Sequence, residues 1–139
     1  MKVEVCVTSL ASARIAEAAG ADRLELCMEL AVGGITPSPG LLRAVREAIR
    51  IPVHVLVRPR SGNFSYTEEE FAQMRWAIEY CRELGYEGIV TGCLAPDGGI
   101  DLPGMELLAE ASGPCHLTFH RAFDRMSGWE SASAARFFF

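Results

Sequence analysis

The chain has 139 residues, and its 50% hydrophobic content suffices for the core of one domain, which excludes a disordered or fibrous protein. A formal net charge of -5 gives no basic surface for a nucleic-acid backbone or an anionic membrane. No apolar stretch reaches membrane-spanning length, and Glu4 stands where a signal peptide needs an apolar segment. We therefore expect a cytoplasmic protein with neither nucleic acid nor membrane as partner.

The cysteine pattern predicts free thiols in a reducing compartment. Five are present, an odd number without CxxC spacing: Cys6, Cys27, Cys81, Cys93 and Cys115. This pattern favours free thiols over a disulfide framework and lacks the spacing of a zinc finger.

The first half of the chain predicts two strand-then-helix units. Residues 3–7 form a β-branched run, and the alanine-rich helix over residues 9–19 ends at Gly20. The second strand covers residues 23–27. After a glycine loop, Ser38 and the proline that follows it begin the second helix.

The second half continues the same pattern. Residues 53–57 form the third strand, and Thr67 with Glu70 forms a capping box for the next helix. A fourth strand, a helix and a fifth strand follow over residues 88–91, 102–111 and 115–120. The count is four and a half strand-helix repeats.

This alternation specifies a parallel sheet, closed as a (β/α)8 barrel of the TIM type or open and doubly wound. Covered strands of an open sheet are apolar on both faces, whereas here one face is aliphatic and the other largely polar. The polar face comprises Glu4, Cys6, Arg23, Glu25, Cys27, His54, Arg58, His116, Thr118 and His120. A barrel interior accommodates such a face, so the sequence favours an α/β fold of the TIM-barrel type.

The predicted pattern changes near the end of the chain. Residues 1–124 read as a partial (β/α)8 barrel, and residues 125–139 as a divergent tail without a sixth strand. Because eight units need about 200 residues or more, we expect a barrel truncated after about the fifth strand. A fragment, a shifted reading frame and half of an assembly are all consistent with this pattern. Unpaired edge strands then favour a homo-oligomer.

Two cysteines are candidate metal ligands. Cys6 and Cys27 end neighbouring strands with the same inward direction, and adjacent strands lie about 4.8 Å apart. Their sulfurs can converge on one soft ion, and two thiolates suit copper(I) better than magnesium or calcium. The alternative is that both are small core residues, because free cysteine is among the most buried residue types.

Three polar residues are candidate catalytic groups. Glu25, Arg58 and His120 lie at or near the C-terminal ends of strands two, three and five, where barrel enzymes carry acids, anchors and bases. In this interpretation Arg58 and Arg60 clamp a carboxylate or phosphate, while Glu25 and His120 exchange protons. The alternative is an internal salt-bridge network of Glu4, Arg23, Glu25 and Arg58.

Five ordered motifs resemble the CutC family, the so-called copper homeostasis proteins. They are EVCV at 4–7, GADRLELC at 20–27, GGITPSPGLL at 33–42, IPVHVLVRPRSGNFSY at 51–66 and LTFHRAFD at 117–124. The resemblance covers most of the chain up to Asp124. It implies a cytoplasmic TIM-type barrel.

The resemblance also implies copper tolerance and copper(I) binding, with Cys6 and Cys27 at the positions of the family's proposed ligands. The RPR and FHRAFD motifs at the strand ends resemble an active site. In that interpretation Arg58, Arg60 and Arg121 would bind an anion. No established reaction is known for the family. Three functions stay open: copper handling without turnover, an enzyme acting on a small anionic metabolite, and a fragment without activity.

We expect poor catalysis from an open half-barrel. His120 on the fifth strand would lie across the barrel axis from the second strand, so closure would be needed to bring it toward Glu25 and Arg58. Proton transfer needs heavy atoms within about 3 Å. We therefore expect weak binding of phosphate or small carboxylates by Arg58, and no turnover.

Overall fold

The structure, a computed structural model, describes residues 1–127. Its strands are β1 Glu4–Val7, β2 Arg23–Leu26, β3 Val53–Leu56, β4 Gly88–Thr91 and β5 His116–Phe119. They alternate with helices α1 Leu10–Ala18, α2 Pro39–Ala48, α3 Glu68–Glu83 and α4 Leu102–Ser112, and 3-10 turns occur at Leu30–Val32 and Arg121–Arg125. None of these helices combines the length and apolarity needed to cross a membrane. Most of the predicted tail, residues 128–139, lies outside the described residues.

The five strands lie in one sheet in the order β1-β2-β3-β4-β5, and each is parallel to its neighbours. This confirms the predicted α/β class and the pairing in chain order, which is the arrangement of the first five units of a TIM-type barrel. Within residues 1–127, β1 and β5 are the edges of the sheet.

Local hydrogen bonds fix where the helices begin. The Thr67 hydroxyl accepts from the Glu70 N–H, and the Glu70 carboxylate accepts from the Thr67 N–H at 2.9 Å, as the capping box predicts. The Ser38 hydroxyl likewise accepts from the Leu41 N–H, with Pro39 at the first helical position. These caps fix the start of α2 at Pro39 and of α3 at Glu68, directly after the loops that follow β2 and β3.

The outer face of the sheet is aliphatic and binds the helices. Leu24, Leu26, Val53 and Val55 have no exposed surface and belong to one core cluster with helix residues such as Ile78. Full burial of one such side chain contributes about 1.5–3 kcal/mol. This face therefore holds the helices on the sheet.

The inner face is less uniformly polar than the alternation predicted. Cys27, Leu56 and Val90 form a small apolar cluster there. Since side chains two residues apart share a face, this cluster lies between a lower row that includes His54 and an upper row that includes Arg58. The polar groups of the inner face are thus divided into two levels.

The edges β1 and β5 lead to a prediction about association. A strand edge presents unpaired backbone N–H and C=O groups, which invite pairing with another chain. For the 139-residue chain by itself, we predict dimers or larger species in solution light scattering at micromolar concentration. Val3 precedes β1 and is 45% exposed, so Val3→Lys, which adds a charge at this edge, should shift the population toward monomer. A cooperatively unfolding monomer at every concentration would contradict the prediction.

Candidate functional site

The parallel register places reactive side chains in one row across the inner face. Cys6 pairs with Glu25, Glu25 with His54, His54 with Gly88, and Gly88 with His116. Gly88 leaves room for an imidazole, because a Cβ at this position would collide with the His54 ring. The His54 and His116 rings lie 5.3 Å apart between centroids. The row therefore carries a thiol, a carboxylate and two imidazoles.

The structure brings the two candidate metal-ligating cysteines together. Sγ of Cys6 lies 3.5 Å from Sγ of Cys27, and the Cys27 N–H donates to the Val7 carbonyl at 3.1 Å. Cys6 is exposed at the β1 edge, whereas Cys27 is 1% exposed. Among the described residues, no group of three or more His, Cys, Asp or Glu side chains is arranged to hold a metal ion. The pair thus offers two soft donors.

Burial keeps these thiols protonated. Burial, helped by the hydrogen bond with Cys6 and the charge of Glu25, raises the pKa of Cys27 to about 12. Partial desolvation of its sulfur also raises the pKa of Cys6, although the residue as a whole is exposed, and its hydrogen bond with Cys27 opposes this effect. At neutral pH both sulfurs carry protons, so a metal ion has to displace them.

Glu25 lies beside the cysteines and apart from the other candidate catalytic residues. Burial raises the pKa of its carboxyl, the charge of Glu4 adds to this effect, and Arg23 opposes it. Arg23 itself forms an ion pair with Glu4. The predicted internal network is therefore present as an Arg23–Glu4 pair near Glu25, whereas Arg58 lies at another level of the inner face.

Arg58 lies at the C-terminal end of β3 and is 3% exposed. Its Nη1 donates to the carbonyls of Val32 and Gly34, both at 3.0 Å, and its Nη2 donates to the carbonyl of Gly62 at 2.9 Å. These bonds join the loop after β2 to the loop after β3. Three of its donor positions are used by backbone.

His120 lies at the end of β5 and contacts the same aromatic ring as Arg58. Its ring centroid is 5.0 Å from that of Phe64, and Cζ of Arg58 is 4.9 Å from the same centroid. The Ala122 N–H donates to Nδ1 of His120 at 3.1 Å. Burial and then the charge of Arg58 lower the pKa of His120 to about 4, so the neutral ring carries its proton on Nε2.

The predicted catalytic trio is thus divided. The Phe64 ring joins Arg58 and His120 without any closure of the sheet, which corrects the expectation that closure would be needed to bring them together. Gly92, directly after β4, leaves room for the His120 ring, because a Cβ there would lie 2.8 Å from Nδ1 of His120. No contact joins Glu25 to Arg58 or His120 in the described part of the chain.

The remaining candidate anion-binding arginines differ in their partners. Arg60 forms an ion pair with Glu70 and donates to the carbonyls of Asn63 and Ser65 at 3.0 and 2.7 Å. Arg121 is exposed, and its guanidinium lies against the backbone of Gly33, where it occupies the space that a Cβ would need. Arg60 therefore stabilises its own loop, and Arg121 stays open to solvent.

A cavity of about 620 Å³ lies beside these residues at the C-terminal ends of the strands. Its walls come from the loops after β3, β4 and β5: Gly62, Asn63, Phe64, Ser65, Leu94, Ala95, Pro96, Gly98, Arg121, Asp124 and Arg125. This is the edge where TIM-type barrels carry their sites.

The family profile described as the CutC family matches residues 1–135. The chain belongs to the CutC family. A CutC family protein from Klebsiella pneumoniae is 57% identical over 122 residues, which cover 88% of this chain and 49% of the relative. A CutC family protein from Salmonella paratyphi B is 52% identical over 122 residues, which again cover 88% of this chain and 49% of the relative. The chain therefore spans about half the length of the curated relatives it matches.

A solved CutC structure agrees with this assignment. The protein from Streptococcus agalactiae is 35% identical, with a TM-score of 0.85, and the match covers 91% of this chain and 62% of that chain. The fold predicted for a CutC chain, with parallel strands and intervening helices, is thereby confirmed. The roles of Cys6, Cys27, Glu25, Arg58 and His120 stay predictions.

Two aromatic residues of this CutC chain were not predicted as part of the site. Phe64 contacts both Arg58 and His120, and Tyr66 lies with its ring 5.2 Å from Cζ of Arg60. Both occur in the SGNFSY segment directly after the arginine motif. Aromatic residues in a loop at a strand end, next to arginines, are the signal that would have indicated them.

The depressed pKa of His120 predicts a pH-dependent stability. Because the pKa falls from 6.5 to about 4 on folding, its contribution is complete above pH 6.5 and is lost as the pH falls toward 4. The shift corresponds to roughly 3 kcal/mol. Chemical denaturation at several pH values should show that the unfolding free energy of the wild type falls more steeply between pH 6.5 and pH 4 than that of the His120→Gln variant. Equal slopes in the two proteins would show that His120 titrates normally.

Proposed function

We propose that this CutC-family protein binds copper(I) in the cytoplasm through Cys6 and Cys27, and that it serves copper homeostasis without turning over a substrate. The observation that carries the proposal is the 3.5 Å separation of the two sulfurs, one on β1 and the other directly after the neighbouring strand β2. Membership of a family whose Streptococcus agalactiae relative is named for copper homeostasis supports it.

The donor set favours copper(I) over other ions. Soft thiolates select copper(I), whereas magnesium and calcium take oxygen ligands. Structural zinc requires four ligands in a tetrahedron, and the part of the chain that the structure describes offers no third His, Cys, Asp or Glu to this pair. Copper(I) accepts two thiolates as a complete ligand set.

The surroundings of the pair suit an ion that enters and leaves. Cys6 lies exposed on the edge strand β1, so its side chain can adjust while Cys27 stays fixed in the apolar cluster with Leu56 and Val90. A reducing cytoplasm is part of the proposal, because two thiols at this distance stay available to a metal only where disulfides do not persist.

Removal of either sulfur should abolish tight copper binding. We expect reduced wild-type protein to compete with a copper(I) chelator for one ion per chain, and Cys6→Ser and Cys27→Ser each to lose this competition, because a serine hydroxyl is a poor ligand for a soft ion. Titration against a chromogenic chelator under anaerobic conditions measures the copper(I) affinity of each protein.

A matched control is Cys115→Ser. Cys115 is half-buried and donates its thiol to the Tyr86 carbonyl at 3.4 Å, away from the cysteine pair. This variant should bind copper(I) as the wild type does. Equal copper affinity in the Cys6→Ser, Cys27→Ser double variant and the wild type would remove the proposal.

Copper affinity should rise steeply with pH. Since burial raises the pKa of both thiols, and that of Cys27 to about 12, both are protonated between pH 6 and pH 8. Binding then releases two protons, and each contributes about a tenfold gain in affinity per pH unit. Competition assays at three pH values should therefore give roughly a hundredfold change per unit. A pH-independent affinity would show that the ligands are not these thiols.

A further inference from the structure

Arg58 is a buried cation without a carboxylate partner. The ion pairs found among residues 1–127 do not include Arg58. The arginines that pair with glutamates are Arg23, Arg46, Arg60 and Arg75. Arg58 donates to three carbonyl oxygens, which are dipoles and carry no net charge. Because a buried charge is costly unless a counter-charge neutralises it, the site is electrostatically incomplete.

Hydrogen-bond donors without partners occur at the same place. In the described residues, Nε of Arg58, the hydroxyl of Tyr66 and Nε2 of His120 are buried and have no hydrogen-bond partner. Nε of arginine always carries a proton, and Nε2 of His120 carries the ring proton because Nδ1 accepts from Ala122. Buried polar atoms are almost always satisfied in folded proteins, so three together are unusual.

These groups share one neighbourhood. Arg58 and His120 both contact the Phe64 ring, and the charge of Arg58 acts on both the His120 ring and the Tyr66 hydroxyl. Phe64 in turn lines the 620 Å³ cavity, whose rim includes the exposed Arg121 together with Asp124. Phe64 thus contacts both the cluster and the cavity.

We propose that Arg58, Tyr66 and His120 form a binding site for a small oxyanion, such as phosphate or a small carboxylate, which enters from the cavity when the Phe64 ring moves aside. A ligand that only accepts hydrogen bonds satisfies all three donors, and its charge neutralises Arg58. The site is independent of the copper proposal, because it lies at the other polar level of the inner face.

Tyr66→Phe is the decisive variant. It removes a hydroxyl that lies beside the Arg58 guanidinium without a hydrogen bond of normal geometry, so the ligand-free protein should keep its melting temperature. Arg58→Ala should also abolish binding, but it releases three backbone carbonyls and threatens folding. Inorganic phosphate should raise the melting temperature of the wild type saturably, whereas chloride at equal ionic strength should not. Tyr66→Phe should weaken phosphate binding roughly tenfold, as expected for one hydrogen bond to a charged ligand.

Two control variants show whether the loss of phosphate binding is local to this site. Tyr86→Phe removes a buried hydroxyl that donates to the Leu42 carbonyl at 2.6 Å, so it should lower the melting temperature and leave phosphate affinity within about twofold. The Cys6→Ser, Cys27→Ser variant should bind phosphate normally, whatever its copper affinity. The proposal is overturned if phosphate gives no saturable stabilisation, if Tyr66→Phe leaves its affinity unchanged, or if Tyr66→Phe lowers the melting temperature because the hydroxyl only caps Arg58.

Discussion

The register of five parallel strands, each hydrogen-bonded to its neighbours in the chain, is the constraint on which both candidate sites depend. Because each strand pairs with the strand before it in the chain, residues distant in sequence fall into rows on the inner face. One row joins Cys6 to Glu25 and His54. Arg58 and His120 lie beyond the apolar cluster of the inner face, at the C-terminal ends of their strands. The aliphatic residues of the opposite face bind the helices, which fix this register.

Sequence patterns predicted the features that depend on local or nearest-strand geometry. The capping box at Thr67 and the inward direction of Cys6 and Cys27 follow from spacing alone, and both are present in the structure. The partners of Arg58 could not be predicted, because they are carbonyls in two loops whose paths depend on the packed fold. Strand parity likewise gave Glu25 and His120 the same face but not the distance between them, and the apolar layer at Leu56 separates them.

The two proposed sites differ in chemistry because their surroundings differ. The cysteine pair has soft donors and a neighbouring carboxylate, Glu25, which favour a cation of low charge. The cluster around Arg58 presents donors and positive charge, which favour an anion. Since a (β/α) barrel supports many functions on one scaffold, these side chains, rather than the fold, are the basis of both proposals.

Copper K-edge X-ray absorption on the reduced, copper(I)-loaded protein would decide whether the cysteine pair holds the ion. We predict that sulfur atoms alone surround the copper, two per ion, and that this signal disappears in the Cys6→Ser variant. A shell of nitrogen or oxygen neighbours, or an unchanged sulfur shell after loss of both Cys6 and Cys27, would contradict copper binding by these two thiols.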